Sequence, residues 1–404
     1  SAFSGCSGLT GELVIPDSVT SIEDGAFRNC SGLTGSLMIP DSVTTLGEGA
    51  FSGCSGLTGS LIIPDSITSI GSNTFSWCTG FTGSLTIPDS VTSIENFAFI
   101  GCSGLTGKLV IPNSVTYIGS GAFSSCTGFT SLTIGSGVQI INGTFSGCSG
   151  LTGKLVIPNS VTTIGYEAFS GCSGLTGELV IPDSVTTIEG NAFNNCSGFT
   201  GSLVIPNSVT YIGSSAFSGC SGLTGELVIP DSVTTIEGNA FNNCSGFTGS
   251  LVIPDSVTSI GDGAFYGCTG FTGVLIIPSS VTYIGAGAFA DTGFTQFVNG
   301  SSGVFDSLEE EGETYTVFFN KSFESIVNLS DIDLSKTGIA NPSIAKNLVT
   351  AGTIQMIEGE VSSGGDSSGG NNGVTNTIIK LIPLFAMLGV LIGFAVPLVS
   401  NRFE

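Results

Sequence analysis

CSGLTGELVIPDSVTTIEGNAFNN, residues 172–195, is one copy of a phrase that recurs through the first three quarters of this 404-residue chain. The twelve cysteines mark it out: they stand at 6, 30, 54, 78, 102, 126, 148, 172, 196, 220, 244 and 268, so the interval is 24 residues ten times and 22 once. The wording C-[ST]-G-[LF]-T-G-x-L-x-I-P-[DN]-S-V-T-x-I-x-x-x-A-F-x-x continues through Phe289. A self-similar period of this length means a solenoid, in which each unit buries its apolar side chains only by stacking on its neighbours. Residues 1–295 therefore read as one elongated body.

Within the unit, Leu13 to Ile15 forms a β-branched-rich run stopped by Pro16, and Val19 to Ile22 forms a second after an Asp-Ser corner. Both read as very short strands. Proline donates nothing to a ladder, so its recurrence fixes a strand end in every coil. The Asp or Asn that follows suits an Asx-type turn. The Gly-x-x-Ala-Phe segment, such as Gly119 to Phe123, reads as a turn or a short helical stretch that drops one phenylalanine per coil into the core. Parallel coils advance about 4.8 Å each, which gives roughly 60 Å for twelve. The unit from Cys126 to Gly147 is two residues short, with Gly135 in place of proline and losses after Thr130 and near Asn142. Leu132, Ile134, Val138, Ile141 and Phe145 keep their core columns, and the losses are expected in turns.

Composition removes whole function classes. The chain carries 31 acids against 8 bases, a formal charge of -23, and no histidine. Such a charge repels phosphate backbones, so nucleic acid is excluded as a partner. Without histidine there is no Ser-His-Asp or Cys-His system and no imidazole general base. No phosphate loop or paired acids appear outside the repeat wording, and the expected protein is not an enzyme, with no catalytic, cofactor or metal site.

The pattern L-x-I-P-x-S-V-T-x-I-x-x-x-A-F-x-x-C resembles the Treponema pallidum-type, or BspA-like, leucine-rich repeats of microbial surface proteins. The departure is one extra glycine per unit, Gly11 or Gly35 for instance, which reads as a small widening of one corner. The resemblance implies an extracellular binding or adhesion role without naming a ligand. The expected fold is mainly β: a leucine-rich-repeat solenoid of about twelve 24-residue coils with short parallel strands. A small β-rich C-terminal cap and one C-terminal transmembrane helix follow it.

Four columns of the stack carry candidate chemistry. The cysteines are a disulfide framework, a metal array or buried thiols; in-register side chains strain a disulfide torsion and no Cys-x-x-Cys occurs, which favours buried free thiols. The post-proline column (Asp17, Asp41, Asp65, Asp89, Asn113, Asn159, Asp183, Asn207, Asp231, Asp255) is a solvated corner or, less simply, a calcium ladder. Thr20, Thr44, Thr68, Thr92, Thr116, Thr162, Thr186, Thr210, Thr234, Thr258 and Thr282 suit hydroxyl bonds between coils better than an ice-binding lattice. The residue between the two core positions of the first strand should face outward. It is Val14, Met38, Ile62, Val110, Val156, Val180, Val204, Val228, Val252 and Ile276, interrupted only by Thr86 and Thr133. That column is a candidate interaction stripe; the plainer account is partial tucking at a flattened corner, or valine's preference for strands.

Asn-x-Ser/Thr sequons at Asn29, Asn142, Asn195, Asn243, Asn299, Asn320 and Asn328 make glycosylation feasible in a secreted chain. Gly171 to Pro206 repeats residue for residue at Gly219 to Pro254. Identical coils cannot be tailored singly, which points to length or multivalent display. After the solenoid, residues 296–360 read as a cap or small β-rich domain, 361–376 as a Gly/Ser/Asn linker, 377–400 as a transmembrane helix and 401–404 as a short tail. Leu381 to Val399 is nineteen residues without a charge, enough for one membrane span. The first residues, Ser1-Ala2-Phe3, fall in the middle of a unit, and a secretion signal is expected upstream. The expected protein is a cell-surface, single-pass membrane protein that displays its solenoid for adhesion to proteins or glycans of other cells or matrix, or to neighbouring copies. The alternative is a passive envelope or stalk component without a specific ligand.

Overall fold

A computed structural model of the chain describes residues 1–299 and, beyond them, the strands at 304–305, 308–310, 313–315, 325–328, 354–359 and 378–383. Two compact units divide it, Ser1–Asp331 and Ile332–Glu404. The first is a parallel β-solenoid, with no helix among the described residues. Its second strand is two residues long in each coil, from Ser21–Ile22 to Tyr283–Ile284. The buried member of that strand forms a column of twelve rungs from Ile22 to Ile284, hence eleven full turns. The parallel ladders run past residue 295: Gln296–Asn299 pairs with Phe271–Ile277, and Ser325–Asn328 pairs with Gln296–Asn299.

Each coil buries the same set, as in Leu175, Leu179, Ile181, Val185, Ile188, Ala192, Phe193 and Cys196. In-register stacking makes every such position a column. Thirteen phenylalanines from Phe3 to Phe289 stack with centroids 5.1–6.0 Å apart, an offset-stacked spacing. The widest gap, 6.0 Å between Phe123 and Phe145, falls across the short unit.

The backbone decides between the two readings of the turn and corrects two other local expectations. The Gly-x-x-Ala-Phe segment and the two residues after it form a turn and not a helix, because one residue in the segment and one just past it take left-handed φ, such as Asn191 and Asn195 at 56°. Its amide groups alternate: Asn191, Phe193 and Asn195 donate to the next coil, while Ala192, Asn194 and Cys196 close turns within their own. Secondly, the extra glycine lies inside the first strand and not at a corner. Gly201 sits within Phe199–Val204 at φ 94°, where the ladder slips from Gly177↔Phe199 to Leu179↔Leu203. This is a two-residue bulge repeated up the stack. The short unit shrinks it to one residue, since Gly107 pairs with Phe129 and Lys108 with Ser131, so that loss falls in a strand. Thirdly, the proline corner is closed by backbone, with Val185 N–H donating to Pro182 O at 3.0 Å. The next serine ties coils together, Ser184 Oγ donating to Val161 O. The Asp or Asn between them is exposed, and Asn113 accepts from Ser136 N–H of the next coil at 2.9 Å.

In the second unit, Ile354–Gly359 pairs antiparallel with Ile378–Pro383. The first residues of the segment expected as a membrane helix are thus in a strand. The linker at 361–376, the rest of the apolar run at 384–400, the tail at 401–404 and most of the expected cap lie outside the described residues.

Candidate interaction surface

The first strand positions the apolar column. In Gly177–Val180, Leu179 is buried and Val180 faces out, and the same alternation puts Val204 beside Val180 in the next coil. Val14 is 77% exposed and Val180 38%. Met38, Ile62, Val110, Val156, Val204 and Val228 are exposed as well, while Val252 and Ile276 are half-buried. The tucked-corner account therefore holds for the last two members and fails for the other eight.

The cysteine column faces the opposite way. All twelve are free thiols, and all but Cys6 are buried. Each buried Sγ donates to the carbonyl oxygen of the phenylalanine one coil back, as Cys196 to Phe169 and Cys220 to Phe193 at 3.0 and 3.1 Å. Burial pushes the thiols of Cys148, Cys220 and Cys268 up to about 12, against a weaker downward pull from the backbone hydrogen bond. A thiol that stays protonated is neither nucleophile nor ligand. The threonine column is satisfied between coils: Thr44 Oγ1 donates to Thr20 O at 3.2 Å and Thr116 Oγ1 to Thr92 O at 3.3 Å. The exposed post-proline carboxylates gather no second acid column, and among the described residues no group of three or more His, Cys, Asp or Glu could hold a metal ion.

The sequence reading passes over one surface. In the turn, the two left-handed columns hold glycine or asparagine in most coils, but Trp77 and Phe97 take them at φ 58°. For bulky residues that conformation costs roughly 1–2 kcal/mol each. Trp77 is 56% exposed and Phe97 41%. Trp77 lies over Gly101 of the next coil, where a Cβ would collide with indole Cε3, and Phe97 lies over Gly121. Ile100, half-buried, stands where neighbouring coils carry Ser76 and Ser124, and its carbonyl accepts from Trp77 N–H at 2.7 Å. The available signal is departure from the column's wording, which a reading by consensus discards.

A repetitive parallel solenoid with a sealed apolar interior and periodic outward columns defines a leucine-rich-repeat scaffold. The chain belongs to the BspA-type leucine-rich repeat family, whose repeat region matches in six copies over residues 1–83, 81–200 and 199–310. Its fold is similar to the crystal structure of a leucine-rich repeat protein from Bacteroides ovatus, at 28% identity and TM-score 0.51, covering 72% of this chain and 86% of that one. A leucine-rich cell surface protein from Faecalibacterium prausnitzii is 29% identical, covering 73% of this chain and 80% of its own, with TM-score 0.45. No curated protein sequence matches the chain.

Proposed function

We propose that this chain is a non-enzymatic adhesion or protein-interaction protein of the cell surface, anchored through the uncharged run within residues 377–400. The observation that carries the reading is the exposed column from Val14 to Val228, eight apolar side chains aligned on one side of the coils. Soluble proteins seldom leave aligned apolar side chains wet unless they are used. Proteins or glycans on other cells or matrix, or a neighbouring copy, are the partners such a column would meet.

The test is binding of the full chain to a panel of cells and matrix proteins, with V180S/V204S/V228S beside it. Each valine buried in a contact is worth about 1.5 kcal/mol or more, so the triple variant should lose at least tenfold in affinity while its circular dichroism stays unchanged. Unchanged affinity removes the stripe from the site. The duplicated coils favour a second reading, a stalk without a specific ligand. Ordered self-assembly with no saturable binding would establish that one instead.

A further inference from the structure

We infer that Trp77, Phe97 and Ile100 form a second docking site, on the turn side of the coils, for a lysine- or arginine-bearing peptide segment of a partner protein. The inference rests on the reading of the chain as a binding scaffold, and places a contact away from the valine column. Nothing in the fold requires these residues: apart from Tyr166 and Tyr266, the other coils build the same turn around its Ala-Phe pair from small or polar side chains, and among the described residues no other aromatic takes a left-handed position, where most coils use Gly or Asn. Two aromatics are held in strained backbone, exposed, with glycines beneath them that leave room for their rings. Strain that packing does not need is a mark of a binding site.

Charge selects the occupant. In the turns 23–29, 47–53, 71–77 and 95–101, the charged side chains are Glu23, Asp24, Glu48 and Glu95 against Arg28 alone. Arg28 reaches over the next turn, its guanidinium against Gly49 beside Glu48, which leaves Glu95 as the carboxylate with no base in its own turn or in the turns on either side of it. Glu95 lies two residues before Phe97 in the same turn. An aromatic face flanked by carboxylates attracts a guanidinium or ammonium through both cation–π and ion-pair terms, and tryptophan and arginine recur as paired anchors of interfaces. A neutral glycan would use the ring and leave the carboxylates idle. A second copy of this acidic chain would be repelled by them.

Trp77 is the chain's single tryptophan, so its fluorescence reports on this site alone. The full chain is titrated with the peptide acetyl-Gly-Arg-Gly-Arg-Gly-Arg-amide, with its Glu-for-Arg counterpart, and with chitohexaose. The expected result is a saturable emission change with the arginine peptide only, weakened at least threefold between 50 and 300 mM salt. Phe97→Gly and Glu95→Gln should each weaken it at least threefold. Trp77→Gly, followed by calorimetry, should abolish the heat of binding while leaving the melting temperature unchanged or higher, because glycine relaxes the left-handed backbone. A response to chitohexaose instead, a concentration-dependent shift of the chain alone, no response at all, or a lower melting temperature in Trp77→Gly would each overturn the proposal. Cell adhesion by V180S/V204S/V228S reads the valine column separately, so failure of the peptide leaves the adhesion reading standing.

Discussion

At the residue scale, the thiol column couples stability to alkaline pH. Burial favours the neutral thiol, so folded Cys220, pushed from 9.0 up to about 12, keeps a proton that the unfolded chain gives up. Between those values the native state binds more protons than the unfolded state, and stability falls as pH rises. The contribution is complete below about pH 9 and lost on the way to 12. The urea midpoint should therefore drop from pH 9 to 11. Cys220→Ser should make that drop shallower, because a hydroxyl does not titrate there. Its cost at pH 7 should be about 1 kcal/mol, since Thr292 shows a hydroxyl accommodated in the same column, donating at 2.8 Å to Phe289 O of its own coil and not to the coil behind. In native protein a thiol reagent should label Cys6 quickly and the eleven buried cysteines only on unfolding. Extra labelling that appears only after reduction would contradict free thiols.

At the element scale, the two glycines of Cys-Ser-Gly-Phe-Thr-Gly, residues 196–201, do different work. Gly198 has no unusual φ; a Cβ there would run into the carbonyl oxygens of Ser173 and Leu175 in the coil below. Gly201 has φ 94°, and a Cβ there would meet Glu178 only at an ordinary contact distance of 3.8 Å. Gly201→Ala should cost roughly 1–2 kcal/mol of backbone strain, and Gly198→Ala about 3 kcal/mol, since backbone must move to relieve it. Denaturant titration of the two variants checks the order; equal losses would mean that coils separate easily. These positions also show what a sequence can reveal. The inward Leu179 and Ile181 and the outward Val180 are legible, because strand alternation acts on each coil and stacking copies the result into a column. The slip at Gly177 is not, because a 24-residue period gives the repeat of the chain and not the lateral offset between neighbouring strands. The turn at Asn191 to Asn195 escapes for a related reason: asparagine tolerates left-handed φ without requiring it, so a helical turn reads equally well there. Trp77 and Phe97 are legible only to a reading that asks which coil breaks the rule.

At the scale of the whole molecule, charge and repetition have one source. Residues 1–295 hold 19 of the 31 acids and 3 of the 8 bases, distributed over the corners and strands of the coils. Contacts reach only from a coil to its neighbours, so stability is close to a sum of unit and interface terms. The duplicated stretch permits a clean test of that statement. Removing residues 207–254 joins Pro206 to Asp255 and deletes two coils, and the new junction repeats wording already present at Pro254 and Asp255. Every column keeps its residue type across the join, with the Phe, Cys and Leu stacks closing on identical neighbours. The variant should fold, with its denaturant slope reduced in proportion to the buried surface removed and its solenoid shorter by about 10 Å. Removing only residues 243–254, half a coil, should instead leave strands facing turns across the join and break cooperative unfolding. If both deletions fold equally well, the columns do not set the register. If neither folds, long-range order beyond the neighbouring coil holds the solenoid together. A two-coil deletion that folds yet loses more than its share of adhesion would show that binding counts coils, as multivalent display requires.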